Sequence, residues 1–66
     1  MSVARVTELI SSSKKSYADA VESGIKRATK TLKNVTAAWI AAHEVQVENG
    51  RIREHRVRLK VTFILE

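Results

Sequence analysis

From Arg51 to Leu65 apolar and polar residues alternate. Val57, Leu59, Val61, Phe63 and Leu65 fall on one side, and Arg56, Arg58, Lys60 and Thr62 on the other. A period of two is the mark of a half-buried β-strand. Val35 to Glu48 is rich in Val, Ala and Ile, lacks Gly and Pro, and reads the same way. Between the two runs stands Asn49-Gly50. A two-residue type I′ hairpin turn needs positive φ at both central positions, which these residue types tolerate best. Upstream the period changes. Tyr17, Val21, Ile25, Ala28 and Leu32 follow steps of four, four, three and four, so Tyr17 to Leu32 is predicted to be a helix with these five on one face. Ser16 suits its N-cap, and Asp19 three residues later resembles the far end of a capping box. Val3 to Ile10 reads as a first strand, ended by the break Ser11-Ser12-Ser13-Lys14-Lys15.

The turn predicts a register. A two-residue loop pairs Glu48 with Arg51 and then proceeds one to one. Ile40 then faces Leu59, Ala38 faces Val61 and Thr36 faces Phe63, which makes one apolar face for the helix. The other face receives Ala37, Trp39, Ala41 and His43 opposite Thr62, Lys60, Arg58 and Arg56. The expected fold is α+β, in the order β-α-β-β, with a three-stranded antiparallel sheet and one helix. Strands of this length span about 45 Å at about 3.3 Å per residue. The helix spans only about 24 Å. The excess sheet needs another partner, and further copies of the chain are the simplest one.

Composition sharpens that expectation. Sixty-six residues and 7.4 kDa make a single domain over 1–66. A chain this small buries only about 60% of its unfolded surface, and small domains rely on disulfides, metals or association. The sequence has no cysteine, which excludes disulfides and thiolate metal sites and leaves association. No apolar run approaches the roughly 18 residues of a membrane span. The opening MSVARVTELI lacks a signal-peptide pattern, so a cytoplasmic protein is expected. The net charge of +5 favours anionic partners.

Taken together, the segments VARVTEL, the serine break, SYADAVESGIKRATKTLKNV, the Asn49-Gly50 hairpin and VRLKVTFILE resemble the dodecins in order and spacing. The resemblance covers nearly the whole chain. It implies a small β-α-β-β chain whose sheet wraps around its helix. It also implies a homododecameric shell that binds flavins (riboflavin, FMN or FAD) in pairs between aromatic side chains, for storage or quenching. Flavin-binding members carry a tryptophan soon after the helix, in a pattern like W-F-E-V, and that position falls at Ala37. Their flavin-contacting glutamine falls at Arg56. Basic residues that some members use for a flavin phosphate fall at Glu44 and Ile64. None of these positions keeps the family residue. Trp39 lies two residues past Ala37 on the same sheet face, about 7 Å along the strand. Some dodecin-like chains without that tryptophan bind other ligands, such as calcium.

The residues themselves leave two readings each. Trp39 suits a subunit interface, where tryptophan is enriched, or a stacking platform for a flat ligand with Lys60 beside it. Arg56, Arg58 and Lys60 suit ion pairs between subunits with Glu44, Glu48 or Glu54, or plain solvation, or else a phosphate of a ligand or nucleic acid. The basic stripe is short and carries one aromatic, so a nucleic-acid partner is not expected. The predicted register puts His43 and His55 on opposite faces of the hairpin, so no shared metal is expected. The carboxylates show no calcium-loop spacing. With no cysteine, no defensible Ser-His-Asp spacing and only Gly24 and Gly50 for a phosphate loop, no catalysis is expected. The candidate binding residues are Trp39, Arg56, Arg58 and Lys60.

Overall fold

A computed structural model describes residues 3–65 and orders them as β1 (Val3–Ser13), α1 (Tyr17–Thr31), β2 (Val35–Glu48) and β3 (Arg51–Leu65). The strands form one antiparallel sheet in the order β1-β3-β2. Placing the most regularly alternating strand in the centre gives it neighbours on both edges and the helix on one face. Val57, Leu59 and Val61 are accordingly almost fully buried, whereas β2 keeps Ile40, Val45 and Val47 exposed. The helix lies on β1 and β3 and meets β2 little.

The serine run does not end β1. Ser11, Ser12 and Ser13 pair with Val57, Arg56 and His55 as the last residues of that strand. Ser13 makes the following corner. Its buried hydroxyl accepts from the backbone N–H of Lys15 at 3.0 Å and of Ser16 at 3.4 Å, and donates to Asp19 Oδ2 at 2.6 Å. Ser16 is the N-cap, accepting from the Asp19 N–H at 3.0 Å. The capping box is therefore half formed, because the Asp19 carboxylate turns to Ser13. Leu32 ends the helix as its C-cap, with its N–H bonded to Ala28 O.

The buried ridge of α1 is not the large-residue stripe. Ala20, Gly24 and Ala28 are the buried positions, and Tyr17, Val21 and Leu32 flank them partly buried. Small residues at i, i+4 and i+8 bring the helix axis close to the sheet. A Cβ on Gly24 would lie 2.7 Å from Leu59 Cδ1, 3.0 Å from Ser11 Cβ and 3.4 Å from Leu9 Cδ1. Side chains of the sheet crowd this position, and an added Cβ would have to displace the end of Leu59 and press on Ser11.

The hairpin turn forms as expected, with positive φ at Asn49 and Gly50. The one-to-one register does not persist. Glu48 pairs with Arg51 and Val47 with Ile52, but Gln46 pairs with Glu54, which leaves Arg53 as an extra residue on β3. Ala42 pairs with Arg58 and Ile40 with Leu59, which leaves Ala41 as an extra residue on β2. The two bulges cancel, so Ile40–Leu59, Trp39–Lys60, Ala38–Val61 and Ala37–Thr62 stand as predicted. Between the bulges the pairing changes. Arg58 faces Ala42 in place of Ala41, and Arg56 faces Glu44 in place of His43. A third irregularity at Thr36 gives Phe63 to Val35. A bulge locally bends a strand and increases its twist.

The chain is 51 Å long and 18 × 14 Å across. The hairpin therefore projects well beyond the helix, with Val45, Val47 and Ile52 exposed.

Two substitutions test this account. Gly24→Ala should gain about 1 kcal/mol in helix propensity and lose more to overpacking against Leu59, for a net loss of about 1 kcal/mol. A midpoint of urea denaturation raised above that of the parent would contradict the close approach. Ser13→Ala should cost about 2 kcal/mol, because two backbone N–H groups and a carboxylate lose one shared partner. An unchanged thermal midpoint would show that water serves the corner equally well.

Candidate functional site

The face of the sheet turned away from the helix carries all four candidate residues. Its rows follow from the register. Glu8, Lys60 and Trp39 form one, Ile10, Arg58 and Ala42 the next, and Ser12, Arg56 and Glu44 the third. Alternation along β3 sends Val57, Leu59 and Val61 to the core, which commits Arg56, Arg58 and Lys60 to the open face.

Trp39 is 48% exposed, and Lys60 Nζ stands 5.8 Å from the centre of its ring. That separation is within cation–π range. The indole therefore offers a flat apolar surface with the Lys60 ammonium over the ring. Arg58 Nε reaches Glu8 Oε1 at 4.0 Å, with both side chains about half exposed. Such a pair is screened by solvent and holds the guanidinium weakly. Arg56 is held more firmly. Its Nη2 donates to Glu54 Oε1 at 3.0 Å and its Nε to Ser12 Oγ at 3.3 Å. Glu54 is also 3.7 Å from Arg53, which in turn lies 3.3 Å from Glu48.

The four residues share a face but not one cavity. Arg56 and Arg58, with Ile10, Ala42, Glu44 and Val57, line a shallow pocket of about 140 Å³. Trp39 and Lys60 lie in the next row. Glu8 and Glu44 enter the site through strand pairing, and sequence spacing did not single them out as its members. Glu8 could have been found by pairing β1 with β3. Glu44 is placed by the bulge at Ala41, for which the sequence carries no local signal.

His43 is not on this face. The bulges move it to the helix side, level with Val57 and next to His55, which corrects the expectation that the two histidines lie on opposite faces. Among the described residues no helix is long and apolar enough to cross a membrane.

The sequence from residue 3 to residue 66 matches the dodecin family. A comparison with curated proteins found no match. Among solved structures, the dodecin from Streptomyces davaonensis is 31% identical, covers 98% of this chain and 96% of its own, and superposes with a TM-score of 0.92. The dodecin from Streptomyces coelicolor is also 31% identical, over 98% of this chain and 93% of its own, with a TM-score of 0.93. An arginine-to-alanine variant of the Thermus thermophilus dodecin is 26% identical over 100% and 98%, with a TM-score of 0.93. The family is one of small self-associating proteins known for binding flavins without catalysis. With the strand order, the close-packed helix and a match over nearly its whole length, the chain is a member of the dodecin family.

Proposed function

We propose that this protein is a homododecamer that binds a flavin between subunits and stores or sequesters it without catalysis, in the cytoplasm. The observation that carries the reading is the Trp39–Lys60 pair, a half-exposed indole on an open sheet face with a cation 5.8 Å from its ring. A flat isoalloxazine fits such a surface, because stacking needs one exposed aromatic face and gains from exclusion of water. Lys60 and Arg58 would meet a phosphate where the ligand carries one, Arg58 being held only by a long, exposed pair. Arg56, fixed by Glu54 and Ser12, would act as a wall of the neighbouring pocket. Bound flavin would be quenched by ring contact and protected by burial, with no bond made or broken.

Assembly follows from the same surfaces. Val6, Ile10 and Trp39 are exposed on the outer face, and Val45, Val47 and Ile52 on the projecting hairpin. This apolar area on a 7.4 kDa chain is what further copies would cover.

A second reading has its own support. Ala37 and Arg56 occupy the positions where flavin-binding members place their tryptophan and glutamine, and Trp39 is one full repeat along the strand from Ala37. On that reading the protein is a structural shell that has lost flavin, or one that takes another ligand such as calcium. A calcium-chelating dodecin from Mycobacterium tuberculosis shares the fold at 22% identity. The outer-face carboxylates Glu8 and Glu54 are here turned to Arg58 and Arg56, which leaves them less negative charge for a calcium ion.

Native mass spectrometry with added riboflavin separates the two readings. The flavin reading expects a species of about 89 kDa, twelve copies of the 7.4 kDa chain, with added flavin mass and quenched flavin fluorescence. Trp39→Ala should keep the assembly and abolish the quenching. Unchanged quenching in that variant would remove Trp39 from the site. An intact shell that takes up no flavin would favour the second reading.

A further inference from the structure

At one end the hairpin outlasts the rest of the fold. β1 ends at Ser13, opposite His55, and α1 starts at Tyr17, whose ring packs on His43. Residues 45–54 therefore form a ribbon with no third strand beside it and no helix beneath it. Alternation from His43 puts Val45 and Val47 on the helix side of this ribbon, and Ile52 joins them as the partner of Val47. The three side chains are 37%, 64% and 59% exposed. A two-stranded ribbon is at best marginally stable in water and needs an apolar surface to pack on.

The same chain carries a complementary groove at its other edge. Between β1 and α1 runs a trough of about 320 Å³, lined by Leu9, Gly24, Ala28 and Leu32, with Glu8 and Arg27 among its polar residues. β1 pairs with β3 alone, so its outer backbone edge lies open beside the trough, and open edges of this kind are normally covered. The lining segments, residues 7–11 of β1 and 23–32 of α1, each run about 13 Å, and Val45 to Val47 takes about 7 Å of that length. A chain cannot fill its own groove, because its hairpin leaves the fold beyond the start of α1 while the groove follows α1 toward its end. We propose that each groove receives the hairpin of a second copy of the chain, with Val45, Val47 and Ile52 packed against Leu9, Ala28 and Leu32. Charge matches as well. Among the described residues Arg27 is in no ion pair, and Glu48, next to Val47, is held only by an exposed contact with Arg53. Arg27 of one copy can therefore meet Glu48 of the next. This inference rests on the self-association proposed above and names the contact that makes it. Donor and acceptor surfaces differ, so every chain gives one hairpin and receives one, and a finite shell closes these contacts into rings.

The chain has no cysteine, so one introduced thiol reports on the groove. Thr31→Cys puts it on an exposed lining residue. In the assembled protein this thiol should be protected from a maleimide. Adding Val47→Asp should convert the assembly to smaller species in native mass spectrometry and abolish the protection in the same step. Thr31→Arg leaves the hairpin intact but fills the groove, and should cause the same loss of assembly. Should Val47→Asp fail to fold, Thr31→Arg decides alone, since it changes only an exposed helix position. An assembly that survives either substitution, or a thiol that reacts as fast in the assembly as in the dissociated chain, would overturn the proposal and leave the self-associating shell standing. A parent protein that stays monomeric would remove both.

Discussion

The approach of α1 to the sheet is the constraint on which the rest of the molecule depends. Ala20, Gly24 and Ala28 place the helix directly over Leu59 and its neighbours, where a Cβ at the middle position would crowd Leu59 and Ser11. Among the described residues, five that are almost fully buried, three of them on β3, make up the core. A core this small has no spare contact to lose. The helix must sit low over β1 and β3, and it then cannot also cover β2. The exposed side chains of β2, the bare hairpin and the need for further subunits all follow from that placement.

Because the helix claims the odd-numbered side of β3, the even-numbered side is left as the open face. Arg56, Arg58 and Lys60 are thereby presented together, and each meets a different environment. Arg56 is fixed by Glu54 and Ser12, Arg58 is loosely paired with Glu8, and Lys60 stands beside the Trp39 ring. The aromatic does not stand where the dodecin resemblance puts the family's tryptophan. It is displaced along the strand but kept on the face, because two residues restore the same side of a sheet.

The bulges at Arg53 and Ala41 act as a pair. Each alone would turn every residue beyond it to the other face. Together they confine the change to residues 42–46 of β2. Inside that window Glu44 is brought to Arg56 on the outer face and His43 to His55 on the inner face. Outside it, the core pairs Ile40–Leu59 and Ala38–Val61 are untouched. The sheet thus bends without disturbing the side chains that hold the helix.

Much of this was legible in the residues. The period of two in Arg51–Leu65, the period near 3.6 after Ser16 and the turn at Asn49-Gly50 are properties of a few adjacent residues, so the elements, their order and the common face of Trp39 and Lys60 were set by sequence alone. The extent of β1 was not, because a serine run serves a strand or a corner equally well until Arg56 and His55 lie opposite it. Nor was the buried ridge of α1. Large apolar residues mark the helix face, but the closest line of contact takes the small ones, and only the opposing Leu59 shows which. The bulges left no trace in the alternation, since an extra residue is seen only against the register of the strand it pairs with. For that reason the tertiary structure alone decided that Glu44 faces Arg56, and that two histidines 12 positions apart stand on one face with Tyr17.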